Sequence, residues 1–158
     1  DGEHYRPIYV HAKVAIIDDV WATVGSGNLN NRGMSDDTEM NVATLDAELA
    51  LGLRLMLWAE HLGLLSDDDL FAVARYLGHQ HQEVKRDVRA ERVLSYLQET
   101  LGDPLVGLRM MRERAEDNLR RYKAKQPFVG HLLPYLLGDE AEQQGLNFRE
   151  AHGWLEEP

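Results

Sequence analysis

Residues 11–28 read HAKVAIIDDVWATVGSGN, and this stretch decides how the rest of the chain is understood. The apolar, β-branched run from Ile8 to Ile17 meets a second run, Val20 to Val24, across Asp18-Asp19. That pattern predicts strands near 8–17 and 20–25 joined by a tight turn. Gly25-Ser26-Gly27-Asn28 then reads as a loop, and Met40 to Leu45 as a third strand, near 40–45. Val10, Ala12, Val14 and Ile16 alternate onto one strand face, so His11 and Lys13 share the other. Two or three short strands make no stable sheet alone, so the pattern calls for further partner strands.

An imidazole beside an ammonium on an otherwise buried strand is costly unless a partner neutralises the charge. A phosphate is such a partner: Lys13 supplies a point charge, and His11 can attack phosphorus or move a proton near neutral pH. Ser26 and Asn28 flank Gly27, where a small residue lets backbone approach an anion and both side chains can donate to its oxygens. Glu39 is the acid nearest a strand start, and a carboxylate bonded to one imidazole nitrogen fixes the tautomer and raises basicity at the other.

His11-x-Lys13, four residues, Asp18, six residues, then Gly25-Ser26-x-Asn28 resembles the HKD motif of the phospholipase D superfamily. Residues 5–63 resemble the C-terminal HKD copy of phospholipases D proper, including the helix LMLWAEHLG, Leu55 to Gly63. The resemblance implies an α/β fold with a mixed, mostly parallel sheet flanked by helices. It implies two HKD copies facing each other around one active site, with a phosphohistidine intermediate and no metal or cofactor. On that basis His11, Lys13 and Glu39 are catalytic, with His11 the general acid/base oriented by Glu39. Lys13, Ser26 and Asn28 bind phosphate, while Asp18 and Gly25 are structural, Asp18 in a turn.

The implied activity is hydrolysis or transphosphatidylation of phospholipids. A cardiolipin-synthase-like phosphatidyltransferase, an HKD nuclease and a fragment inert without its other half are the alternatives. No second His-x-Lys occurs in the chain, which opens Asp1-Gly2-Glu3-His4 without methionine. The expectation is therefore an N-terminally truncated half-domain over 1–63, followed by a helical tail, 64–158, of unassigned role. Its expected partners are a phospholipid substrate, the missing N-terminal half, and a membrane surface.

Composition bounds the rest. The 158 residues carry 17 Lys+Arg against 27 Asp+Glu, a net charge of -10, which disfavours a nucleic-acid partner. Cysteine is absent, which excludes disulfides and thiol chemistry. No apolar run approaches the ~18 residues that span a bilayer.

Helix signals dominate after Leu45. Asp46 caps a helix running to about His61 with Gly63 as its stop, and Ser66 starts another ending near Gly78. Val84, Val88, Val93, Leu94, Leu97 and Leu101 predict a helix over about 81–101. Asp103-Pro104 opens a long one to Lys125. Phe128 to Leu137, with Pro134 inside, predicts a short or broken helix, and Asn147 to Glu150 the cap of a last one.

Several residues read as structural. Asn30 and Asn31 support the loop or cap a short helix, and Arg32 makes a surface ion pair. His79-Gln80-His81 is a solvated junction, His61 suits a helix C-terminus, and Trp21 and Trp58 belong to the core. The basic stretch Arg109–Lys125 reads as a solvated helix, with Glu113 or Glu116 pairing Arg120, rather than as a membrane-binding face.

Overall fold

The computed structural model describes residues 11–79, 87–149 and 153–155. Strands β1 (Lys13–Ile17) and β2 (Trp21–Gly25) pair antiparallel, with Lys13 opposite Gly25 and Ile17 opposite Trp21. Asp18 (φ 52°) and Asp19 (φ 57°) both sit in the left-handed region, and the Val20 N–H donates to the Ile17 carbonyl at 3.1 Å. Two successive left-handed residues make the type I′ turn that suits the twist of a hairpin, and aspartate tolerates that conformation. Strand β3 (Asn41–Thr44) adds to β2, again antiparallel, with Gly25 opposite Asn41.

These are the three strands the sequence predicts, followed by a mostly helical region, an α/β chain. Every described strand pair is antiparallel, so the parallel pairing implied by the resemblance is not found among the described residues. Strand β1 begins at Lys13, which leaves His11 and Ala12 just ahead of it, while residues 8–10 lie outside the described residues. The strand is also not buried as expected. Ala22 is the sheet's buried residue, at 2 % exposure, whereas Val14, Ile17, Val24 and Val42 are exposed. Helix α2 meets the sheet at β2, and Ala15, Ile16 and Trp21 are half-buried.

A short helix, α1 (Asn31–Ser35), is capped by Asn30, whose Oδ1 accepts from the Gly33 N–H at 2.7 Å, and Arg32 pairs with Asp37 at 2.9 Å. Four longer helices have side-chain caps. Helix α2 (Ala47–Leu62) starts on Asp46 and ends at the left-handed Gly63, φ 68°. Helix α3 (Asp67–Gly78) starts on Ser66, α4 (Val88–Leu101) on Asp87, and α5 (Pro104–Lys123) on Asp103. Each cap satisfies amide groups that no turn of the helix can reach. Val84 and the rest of 80–86 lie outside the described residues, and Val88 is exposed, so of the expected stripe Val93, Leu97 and Leu101 enter the core, with Leu94 packed against it.

The main core joins Leu55, Ala59 and Leu62 of α2 to Val73 and Leu77 of α3 and to Val93, Leu97 and Leu101 of α4. Burying each leucine contributes about 1.5–3 kcal/mol. This cluster runs straight across residue 63. Trp58 packs at its rim, where α5 comes so close through Gly107 that a Cβ there would run into the Trp58 ring. Trp21 is only half-buried.

Two predicted helices are absent. Residues 128–137 run irregularly around the fully buried Asn118, whose amide donates to the carbonyls of Val129 (2.9 Å) and Leu132 (2.8 Å) and accepts from the Val129 N–H (3.0 Å). Pro134 breaks a helix there, and Gly130 takes a left-handed φ of 65° against Gly63. After α6 (Gly138–Gln143), Asn147 does not cap a helix. Instead β4 (Asn147–Arg149) pairs with β5 (Gly153–Leu155), Phe148 opposite Trp154. Aromatic residues favour strands, and Gly153 would weaken a helix, which outweighs the cap signal of Asn147 and Glu150.

Charge pairing also differs from expectation. Arg120 pairs with Asp117 (3.3 Å), not Glu113 or Glu116, and Asp117 also holds Arg121 (2.7 Å) and Arg114 (3.9 Å). Glu60 bridges His61 (2.6 Å) and His131 (3.1 Å), tying the end of α2 to the irregular segment.

Candidate active site

The loop after β2 is built by hydrogen bonds to the start of β3. The Ser26 N–H donates to the Met40 carbonyl at 3.0 Å, and the Ser26 hydroxyl accepts from the Met40 N–H at 3.0 Å. The Gly27 N–H donates to Asn41 Oδ1 at 3.0 Å. Gly25 must be glycine in this arrangement, because a Cβ would run into the Met40 carbonyl oxygen and the Asn41 side chain. Asn28 is held next. Its carbonyl accepts from the Asn30 N–H at 2.9 Å, and α1 lies so close that a Cβ on Gly33 would stand 2.7 Å from the same oxygen.

Lys13 opens β1 directly across from Gly25, and its Nζ donates to the His11 carbonyl at 2.9 Å. Lys13, Gly27, Asn28 and Asn41 line one groove of about 420 Å³, which continues along β1 and β2 to Ile17 and Trp21. The hairpin register explains this. Lys13, Ala15 and Ile17 alternate onto one face, and Trp21, Thr23 and Gly25 stand opposite them. Glu39 is half-buried and immediately precedes Met40, so the Ser26 clasp fixes its backbone neighbour.

The fold thus gathers Lys13, Gly25, Ser26 and Asn28 at one end of the hairpin, with His11 two residues ahead of Lys13. Asp18 is elsewhere, in the turn at the opposite end of β1, five residue steps or about 17 Å along the strand from Lys13. A primary ammonium, a side-chain amide and glycine-loop backbone around one groove can bind an anion's oxygens. Among the described residues, no three His, Asp or Glu side chains come together as metal ligands would.

Sequence reasoning missed Asn41 and Arg54. Asn41 is the one polar residue at the head of the apolar run MNVATL, and only the register against Gly25 shows what it does. Arg54 is buried on α2 and grips the hairpin turn. Its Nε donates to Asp19 Oδ1 at 2.6 Å and its Nη2 to Asp19 Oδ2 at 2.8 Å. The same guanidinium reaches the carbonyls of Leu101 (2.9 Å) and Gly102 (3.2 Å) and lies 4.6 Å over the Trp58 ring.

Comparison with known proteins bears on this geometry. A family model described as Phospholipase D matches residues 3–149. Phospholipase D zeta 1 of Arabidopsis thaliana is 40% identical over 74 residues, 36% of this chain and 7% of that protein. Phospholipase D of Phytophthora infestans is 35% identical over 95 residues, 49% of this chain and 5% of that protein. Phospholipase D alpha 2 of Oryza sativa subsp. japonica is 41% identical over 76 residues, 40% of this chain and 9% of that protein. The chain therefore spans less than a tenth of the length of these relatives. No solved structure matches it. The match reaches well past residue 63, into the helices that share the core with α2, and the chain belongs to the phospholipase D family.

Proposed function

We propose that this chain supplies one half of a phosphodiesterase site that acts on phospholipids through a phosphohistidine intermediate. Lys13 and Asn28 hold the non-bridging phosphate oxygens, Lys13 as a point charge and Asn28 through its amide. The imidazole that attacks phosphorus belongs to a second His-x-Lys copy outside this chain. His11 gives a proton to the departing headgroup oxygen as its bond to phosphorus breaks. It then takes a proton from water, whose oxygen attacks the phosphohistidine and frees the imidazole. A second alcohol in place of water gives transphosphatidylation. Glu39 accepts from the other nitrogen of His11 and holds the tautomer, and Ser26 acts by shaping the loop.

The observation that carries this reading is the single groove lined by Lys13, Gly27 and Asn28, two residues from His11. The names of the relatives supply the substrate class. The test is turnover of phosphatidylcholine by the full-length protein. His11→Ala is expected to lower the rate by about 10²–10⁴-fold while leaving the melting temperature unchanged. A variant that keeps the parent rate would remove His11 from the mechanism. Added ethanol separates transfer from hydrolysis by the appearance of phosphatidylethanol.

A further inference from the structure

Lys13, Gly25 and Asn41 stand in one row across the three strands, Lys13 opposite Gly25 and Gly25 opposite Asn41. Residues directly opposite in antiparallel strands project to the same face, so Lys13 and Asn41 flank a position that has no side chain. At about 4.8 Å per strand, their Cα atoms are about 10 Å apart. The Asn41 side chain leans into that gap, because the Cβ that Gly25 lacks would run into its Oδ1 and Cγ. Lys13 and Asn41 both line the groove, and Asn28 lines it beside them.

The structure engages only one side of the Asn41 amide. Its Oδ1 accepts from the Gly27 N–H at 3.0 Å, while its Nδ2 donates to nothing among the described residues. Turning the amide over would set its NH2 against the Gly27 N–H, donor against donor, so its orientation is fixed. Clasping the loop requires the acceptor alone. A carboxylate would serve there at least as well, since an ionised acceptor makes the stronger bond. What an amide adds is two donors at the wall of the groove. Among the described residues that line the groove, Lys13 is charged and none is a carboxylate, although the chain carries -10 overall. One Lys13 N–H goes to the His11 carbonyl, which leaves two for a ligand.

We propose that Asn41 is a further phosphate-binding residue, whose Nδ2 donates to a non-bridging oxygen of the phosphodiester across Gly25 from Lys13. The phosphate then meets an ammonium from β1, an amide from β3 and Asn28 from the loop. The loop contact and the ligand contact use the two ends of one planar group. The bond to Gly27 therefore aims the donor in advance, and little side-chain freedom is lost when the anion arrives. The inference deepens the phosphodiesterase reading and rests on it for the identity of the anion.

The experiment measures the affinity of the full-length protein for inorganic phosphate by calorimetry, in the parent, Asn41→Asp and Asn41→Ala. Aspartate keeps the acceptor for Gly27, removes both donors and adds a negative charge. Alanine removes acceptor and donors alike. The expected losses are about a hundredfold for Asn41→Asp and about tenfold for Asn41→Ala. A residue that only clasps the loop gives the opposite order, with Asn41→Asp binding like the parent and Asn41→Ala failing. That order would overturn the proposal, and so would a parent that binds no phosphate. Unchanged circular dichroism and melting temperature in Asn41→Asp identify the clasp as intact. Should that variant unfold, Asn41→Ala carries the test: a loss of about tenfold supports the proposal and parent-like affinity overturns it. Hydrolysis of a short-chain phosphatidylcholine below its micelle concentration is read in parallel, and kcat/KM is expected to fall in the same order. A parent that binds phosphate and loses it in the expected order, yet hydrolyses nothing, would refute the phosphodiesterase reading and leave Asn41 as an anion ligand.

Discussion

Arg54→Met is the most informative single change. Arg54 is 7 % exposed at its side chain and Asp19 26 %, so the pair is largely withdrawn from water. The guanidinium makes four hydrogen bonds: two short ones to the Asp19 carboxylate and two to the last carbonyls of α4. Methionine keeps much of the aliphatic volume beside Trp58 and removes every donor. Breaking a buried pair by deleting one partner costs about 3–5 kcal/mol, mostly because the other charge is stranded. Partial solvation of Asp19 puts the expected loss near the lower end, about 3 kcal/mol. The cation–π contact with Trp58 adds about 0.5–1 kcal/mol.

The assay is urea unfolding followed by circular dichroism, run as a double-mutant cycle with Asp19→Asn. Asparagine suits the left-handed turn position, so its cost reports the lost charge and not backbone strain. The double variant is expected to be more stable than the sum of the singles allows, by about 2 kcal/mol, since neither charge is then left alone. Additive losses, or a loss below about 1 kcal/mol for Arg54→Met, would refute the claim that this pair clamps the turn.

Four further outcomes follow from the same contacts. Gly25→Ala should cost about 1–3 kcal/mol by pressing on the Met40 carbonyl, and an unchanged urea midpoint would contradict the tight approach of loop and β3. Leu97→Ala, at a fully buried position where three helices meet, should cost about 2–5 kcal/mol in the same assay. Hydrogen bonds from Arg89 and then Ser66 hold the Asp69 carboxyl below its ordinary 3.8, and Arg121 does the same for Asp117. Stability from these pairs is complete above 3.8 and lost as pH falls through the lowered folded values, so Asp69→Asn/Asp117→Asn should flatten the acid limb of a melting-temperature profile. A fragment ending at Leu64 should not unfold cooperatively, because it exposes the Leu55, Ala59 and Leu62 face; a sharp transition would show the helices after α2 to be dispensable.

What could be read from the sequence was local. The Asp18-Asp19 turn, the caps at Asp46, Ser66 and Asp103, and the stop at Gly63 are all decided by side chains acting within a few residues of themselves. The spacing of His11, Lys13, Ser26 and Asn28 is local too, which is why a candidate site could be named at all. What escaped depends on contacts distant in sequence. Arg54 and Asp19 are 35 residues apart. Asn118 organises carbonyls 11 and 14 residues further on, so a stretch with helix-forming leucines stays irregular. Asn41 looks like any polar residue entering a strand until the register sets it against Gly25. The exposure of Val14 and Ile17 on β1 is not legible in the sequence, because alternation reports which side chains share a face and not whether anything covers that face.

The helical region bears on the site through the same long-range contacts. The hairpin that carries Lys13 is held at both ends by different devices. At the loop end, Ser26 and Gly27 are bound to Met40 and Asn41, all within residues 25–41. At the turn end, Asp19 is bound to α2 and, through the same guanidinium, to the carbonyls that close α4. The second clamp exists only if α2, α3 and α4 pack, because their shared core sets where Arg54 stands relative to Leu101 and Gly102. A strand of five residues has little stability of its own, so its direction is set by whatever fixes its ends. The helices after residue 63 therefore help determine where Lys13 points, although none of them reaches the groove it lines. This gives a physical reason for the family match to continue through them to residue 149 instead of ending with the motif.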